Sequence, residues 1–295
     1  MEIWSVAILS PCSNGSGSGM IEPANRQAKI GGDRMQGIRT EIKEQLNKLE
    51  REENVRILYA CESGSRAWGF PSRDSDYDVR FIYVRPVDWY LSIFDRRDVI
   101  ERPISQRLDI SGWDMRKALG LYRKSNPPLL EWLQSPIRYA ERFGAADRLR
   151  GLSPLAFSPK SCMFHYLHMA RGNYRMYLQG ERVKLKKYFY VLRPILACEW
   201  IERYDEMPPM AFETLLHRIV PDGGELFEAV RQLLVRKKAG EELDYEPRIE
   251  AINDYVERSL PRLEGRAAAA SHTADSALDE RLDELFRSTL REVWG

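Results

Sequence analysis

The sequence predicts an α+β protein in which a unit of strands and helices is followed by an all-helical unit. Three observations carry that expectation. Short strand-like runs stand at 55–60, 77–84 and 108–113, the first two rich in β-branched and aromatic residues. Apolar residues at helical spacing precede the first run and follow the last. From Ser161 onward strand signals vanish, and long amphipathic runs take over.

At 295 residues the chain has room for two folding units. Apolar residues make up 43%, charged residues 30%, and the net charge is +1, so overall charge selects no partner. No apolar run approaches the roughly 18–20 residues that a bilayer-crossing helix needs, and no membrane partner is expected. Cys12, Cys61, Cys162 and Cys198 are scattered without a Cys-x-x-Cys pair or a matching histidine cluster. That excludes a disulfide framework or zinc knuckle and points to a reducing, cytoplasmic setting.

In chain order, residues 1–34 run from a short apolar patch into Ser13-Asn14-Gly15-Ser16-Gly17-Ser18-Gly19, which has the composition of a flexible linker. They are expected to be a disordered or non-native extension, with Met35 as the alternative start. Ile38, Ile42, Leu46 and Leu49 then recur every three or four residues, predicting an amphipathic helix over about 36–52. The run Val55 to Ala60 reads as a strand and leads into a Gly/Ser/Pro-rich loop, Glu62 to Asp74. Tyr77 to Val84 alternates with a period of two, so Asp76, Asp78 and Arg80 share one face. A third short strand, Leu108 to Trp113, precedes Asp114, which suits the N-cap of a helix beginning at Met115. Asn126-Pro127-Pro128 stops that helix, and a new one follows at 129–133. The boundary between a unit over 35–155 and a helical unit over 156–295 is placed near Arg150-Gly151-Leu152-Ser153-Pro154. The later helical runs cover about 161–179, 183–204, 210–219, 223–238, 247–264 and 276–294, with an Ala-rich spacer at 266–270.

The chemistry is concentrated between Ser63 and Val79. A polyphosphate needs backbone N–H groups that can approach closely, which Gly64 permits, together with a hydroxyl such as Ser65. Two aspartates two apart on a strand repel one another unless a divalent cation sits between them, and Mg2+ suits carboxylates combined with phosphates and water. A polar loop feeding an edge strand would also use Gly, Ser and Asp, but it requires neither the second Asp inside the strand nor the Gly-Ser at the end of the preceding one. Asp109, on the next strand, is the expected third carboxylate, with Asp114 and Asp74 as rivals. Arg66 and Arg80 read equally well as phosphate contacts or as charge partners that hold the aspartates.

Gly64-Ser65-Arg66-Ala67-Trp68-Gly69 followed by Ser75-Asp76-Tyr77-Asp78 resembles the signature of the DNA polymerase beta nucleotidyltransferase superfamily. The stretch Asn54 to Arg80, with Gly112 to Leu119 and Lys186 to Pro194, is similar to its RNA-repair-pathway polymerase-beta-like branch, over about Met35 to Leu216. The resemblance implies a small mixed sheet with flanking helices and transfer of a nucleoside monophosphate from an NTP to a hydroxyl. It also implies two Mg2+ ions, or Mn2+ in their place. Carried over by position, Gly64, Ser65, Arg66 and Ser75 would meet the nucleotide, and Asp76, Asp78 and Asp109 would hold metal. In related transferases the following helical domain supplies a lysine and an aromatic. Lys187 and Tyr188 are the expected pair, with Lys184 and Arg193 behind them.

The segment Arg171 to Arg193 holds seven cations against Glu181, interleaved with tyrosines, a mixture that suits phosphates and stacked bases; it also suits the solvated face of two helices. The expected acceptor is an RNA 3′ end. The alternatives are a protein hydroxyl, as in antitoxin-like AMPylation, a small molecule, or a non-catalytic nucleotide sensor.

Overall fold

The structure is a computed structural model that describes residues 24–72, 75–103, 107–270 and 276–295, the side chains of residues 24–35 and of residue 276 excepted. Two compact units divide the chain, residues 1–41 and residues 42–295. The first helix, α1 (Ala24–Glu53), begins earlier than the periodicity predicts, and residues 1–23 of the expected extension lie outside the described residues. Ile42, Leu46 and Leu49 of its apolar stripe are buried within the larger unit.

The sheet is built from β1 (Arg56–Glu62), β2 (Tyr77–Val84), β3 (Val99–Glu101), β4 (Leu108–Asp114) and β5 (Arg138–Glu141), in the spatial order β3-β4-β2-β1-β5. β2 and β4 are parallel and the other pairings antiparallel, so the sheet is mixed. A parallel pair places residues side by side in fixed register, here Asp78 opposite Asp109 and Phe81 opposite Gly112. The Phe81 ring lies over Gly112, where any Cβ would overlap it.

Between these strands lie α2 (Gly64–Ala67), α3 (Val87–Tyr90), α4 (Met115–Arg123) and α5 (Pro127–Gln134). Asp114 caps α4 by accepting from Arg116 N at 2.8 Å, and it also accepts from the buried Tyr90 hydroxyl. Asn126 caps α5, with Pro127 in the first turn where its missing N–H costs nothing. The stretch 150–154, near which the boundary between the two units is expected, lies inside α6 (Ala145–Ala156), Pro154 included.

The C-terminal part is helical: α7 (Pro159–Tyr177), α8 (Lys186–Tyr204), α9 (Phe212–Ile219), α10 (Glu225–Ala239), α11 (Glu250–Ala269) and α12 (Ser276–Trp294). A two-stranded ribbon, β6 (Arg182–Lys184) with β7 (Tyr245–Pro247), interrupts it where continuous helix is expected from 183. Three-residue strands are too short to show a period of two. Ala267, Ala268 and Ala269 extend α11 rather than form a spacer, as their helix propensity favours.

One buried cluster runs through the sheet and the helices, from Leu58 to Leu290. Trp113 stacks on Trp132 at 4.0 Å, and Phe70 stacks on Phe189 at 4.9 Å with Phe212 edge-on. Full burial of such rings contributes about 1.5–3 kcal/mol each, so the loop that carries Phe70 is anchored to α8 and α9.

Candidate active site

The site begins where β1 ends. Gly64 has φ +59°, a left-handed conformation that glycine adopts without strain, and it opens the single turn of α2. The turn is closed by bonds from Trp68 N to Gly64 O (2.9 Å) and from Phe70 N to Ser65 O (3.1 Å). Ser63 N donates to Asp78 O at 2.8 Å, tying the start of the turn to β2. Ser65 is largely buried within it. Asp78 packs so tightly against Gly64 that a Cβ there would overlap its Oδ2.

Below this turn Glu62 is fully buried. It accepts from Asp78 N at 2.8 Å and from the Tyr139 hydroxyl. Burial pushes its carboxyl up to about 7, the two hydrogen bonds opposing that rise and the neighbouring Asp78 carboxylate adding to it. Burial also raises Asp78, with Arg80 opposing and Asp109 and Asp76 adding. The structure therefore concentrates negative charge where solvation is poor, an arrangement that a cation relieves.

Arg80 lies between the two strands. Its Nη2 donates to Asp109 Oδ2 at 2.7 Å and approaches Asp78 Oδ1 at 3.5 Å, while Nη1 donates to Asp109 O at 3.0 Å. It is a charge partner that holds the carboxylates. Arg66 has a similar use: Nε donates to Asp76 O at 3.0 Å, Nη2 donates to Ser75 O at 2.6 Å, and the guanidinium stacks on Tyr77 at 3.7 Å. Arg66 thus fixes the main chain that presents Asp76. Ser75 Oγ accepts from Ser72 N at 2.9 Å and lies 2.9 Å from Ser72 Oγ, which secures the loop.

Among the described residues no three acidic, histidine or cysteine side chains stand close enough together to hold an ion by themselves. Asp74 lies outside the described residues, and Asp114 is occupied as a cap. The carboxylate oxygens of Asp76 and Asp78, with Asp109 in register, are hard donors of the kind that hold Mg2+ when phosphates and water complete the shell. On that donor chemistry the residues fit a divalent ion.

The helical contribution differs from expectation. Tyr188 is fully buried, its hydroxyl donating to Asn253 Oδ1 and accepting from Ile249 N, so its polar end is engaged within the core. Tyr190, two residues further along α8, stands on the side of the acids. Burial pushes its phenol up to about 12, with the Asp78 and Asp76 carboxylates adding to the rise, and its ring packs edge-on to Trp68 at 5.8 Å. Lys187, one turn earlier on α8, sits 4.3 Å from the Tyr177 ring and 5.0 Å from that of Tyr190. Its ammonium is lowered by burial, then by Lys186 and Lys184.

Arg193 is also unavailable to a nucleotide. It is buried, bonds Glu131 Oε1 at 2.8 Å, and lies over the Trp68 ring at 4.6 Å. Lys184 stands on β6, 3.8 Å from Asp244. Of the cation run, Arg171 pairs with Glu264 and Arg182 donates to Tyr245 O. Arg175, Lys186 and Lys187 have no acidic partner among the described residues.

Residues 38–288 match the family described as RNA repair pathway DNA polymerase beta family. A Bacillus subtilis (strain 168) protein, "Uncharacterized protein YcgL", is 52% identical over 253 residues, covering 86% of this chain and 96% of that protein. Among solved structures, the chain is similar to a nucleotidyltransferase-like protein from Exiguobacterium sibiricum 255-15, with 11% identity and a TM-score of 0.32. That likeness covers 85% of this chain and 91% of the other.

Proposed function

The chain belongs to the RNA repair pathway DNA polymerase beta family and is a nucleotidyltransferase; from that premise we propose that it moves a nucleoside monophosphate from an NTP to the 3′ hydroxyl of an RNA and releases pyrophosphate. The observation that carries this reading is the packing of Asp78 against Gly64, with the Asp76 and Asp109 carboxylates close enough to act on it. A polyphosphate held by the turn would meet the carboxylates directly.

In this reading the α2 turn, with Gly64 and Ser65, receives the triphosphate, and Lys187 with Tyr190 flanks the nucleotide from α8. Asp76, Asp78 and Asp109 would hold Mg2+, or Mn2+ in its place. The ion supplies neutralisation of phosphate charge and a lowered pKa for the attacking hydroxyl. Arg80 bridges Asp78 and Asp109 and orients them before the substrate arrives, which limits the reorganisation left for the reaction itself. Arg175 and Lys186, unpaired on the helical side, favour a nucleic-acid acceptor over a small alcohol.

Purified protein is incubated with each labelled NTP, Mg2+ and a short RNA. Extension by at least one NTP is expected. Absence of extension with all four, or label on a protein band or small molecule instead, rejects the RNA acceptor.

A further inference from the structure

Helix α10 buries a stripe of Phe227, Val230, Leu233, Leu234 and Lys237. The last of these is out of character. A lysine is almost never buried without a partner, because its ammonium loses hydration that only an anion or several acceptors can replace. Lys237 is only 3% exposed, and it has no ion-pair or hydrogen-bond partner among the described residues. Its neighbours on α10 behave differently: Arg236 pairs with Glu241 and Glu246, and Lys238 pairs with Glu213. The Lys237 ammonium lies 5.9 Å from the centre of the Phe70 ring, on the loop that begins at Gly64.

The nearest charge makes the position harder to explain as structure. Burial, and behind it the Lys186 ammonium, pushes Lys237 down to about 8. Lys186 is the first residue of α8, whose first turn contains no acidic side chain and whose N-cap, Leu185, offers no side-chain bond. A helix N-terminus carries partial positive charge, so cations there are unfavourable unless an anion joins them. Here Lys186 and Lys187 have no acidic partner among the described residues, while Lys184 beside them lies 3.8 Å from Asp244. Leu185 N and Lys186 N already donate to Asp244 O and Leu243 O, so the charge left for an anion is that of the side chains, to which Lys237 adds another cation from α10.

We propose that the N-terminal end of α8, with Lys186 and the buried Lys237, is a phosphate subsite on the Phe70 side of the Gly64–Phe70 loop. The phosphate comes either from the tail of the nucleoside triphosphate or from the backbone of the acceptor strand. The first source rests on the nucleotidyl-transfer reading above. Binding of inorganic polyphosphate does not, since it needs neither turnover nor metal.

Calorimetric titration of metal-free protein with inorganic tripolyphosphate and, separately, with a short RNA tests the subsite. Wild type is compared with Lys237→Met, with Lys186→Gln, and with Lys238→Met as the control that removes a charge from the same helix. At least tenfold weaker tripolyphosphate binding by Lys237→Met and Lys186→Gln, with Lys238→Met unchanged, assigns the phosphate to the nucleotide tail. The same loss confined to RNA assigns it to the acceptor. Lys237→Met is also expected to melt at a higher temperature than wild type without ligand, because a buried charge has gone. Wild-type affinity of Lys237→Met for both probes overturns the proposal, as does a lowered melting temperature, which would make Lys237 a structural residue. A protein that extends RNA while Lys237→Met binds like wild type keeps the transferase reading and loses the subsite. Phosphate binding lost on Lys237→Met in a protein that extends no RNA does the reverse.

Discussion

Gly64 and Asp78 occupy adjoining space so closely that no residue with a Cβ fits at position 64 without displacing the Asp78 carboxylate. The turn and the acid are one packed unit, and each fixes the position of the other.

Gly64→Ala therefore does two things. It introduces a left-handed backbone strain of about 1–3 kcal/mol, and it moves Asp78. Nucleotidyl transfer is expected to fall by about 100-fold, since an ångström of misplacement can cost that much. The fold should survive, as circular dichroism and chemical denaturation will show.

Lys187 and Tyr188 separate substrate contact from packing. Lys187→Met should raise KM for NTP by about tenfold, about 1.4 kcal/mol, through loss of one phosphate contact. Tyr188→Phe breaks buried hydrogen bonds to Asn253 and Ile249 and should cost stability of about 1–3 kcal/mol while KM stays at its wild-type value. Steady-state kinetics and urea denaturation read the two effects.

The strands that carry the acids are legible because β1 and β2 are breaker-free runs rich in β-branched or aromatic residues and β4 alternates Leu108, Ile110 with Asp109, Ser111; the motif is legible because its residues lie within one stretch of chain. The edge strands are not. β3 has three residues, and β5 is Arg-Tyr-Ala-Glu, which shows no clear alternation. The resemblance points to Tyr188, and periodicity offers no correction, because α8 is buried on nearly every side from Tyr188 to Cys198 and names no unique face. Tertiary packing decides that Tyr190 faces the acids and Arg193 faces Glu131. Lys237 left a readable sign, a cation in the apolar stripe of α10, that gains meaning only once its partners are seen to be missing.

The Glu131–Arg193 pair joins α5 to α8, and Tyr166 also donates to Glu131. Arg193→Met leaves a buried carboxylate without its cation and should cost about 3–5 kcal/mol. The double variant Glu131→Leu with Arg193→Met should recover most of that loss, as denaturation midpoints will show.

Lys237 predicts a pH dependence of stability. Its folded value of about 8 lies below the ordinary lysine value, so the unfolded chain holds more protons between the two. Its destabilising effect is full below pH 8 and fades as pH rises toward that of a free lysine. Lys237→Met should exceed wild type by on the order of 2–3 kcal/mol at pH 7, with the difference closing at alkaline pH. Paired denaturation series across that range provide the check.

On the proposed function, Asp76 and Asp78 bind a divalent ion jointly with a nucleoside triphosphate. Electron paramagnetic resonance of Mn2+, titrated with a non-hydrolysable NTP, tests it on wild type and on the folded Asp76→Asn/Asp78→Asn variant. Bound Mn2+ that requires the nucleotide in wild type and is lost in the variant is the predicted result. Equal Mn2+ binding by both proteins would show that these two carboxylates hold no ion.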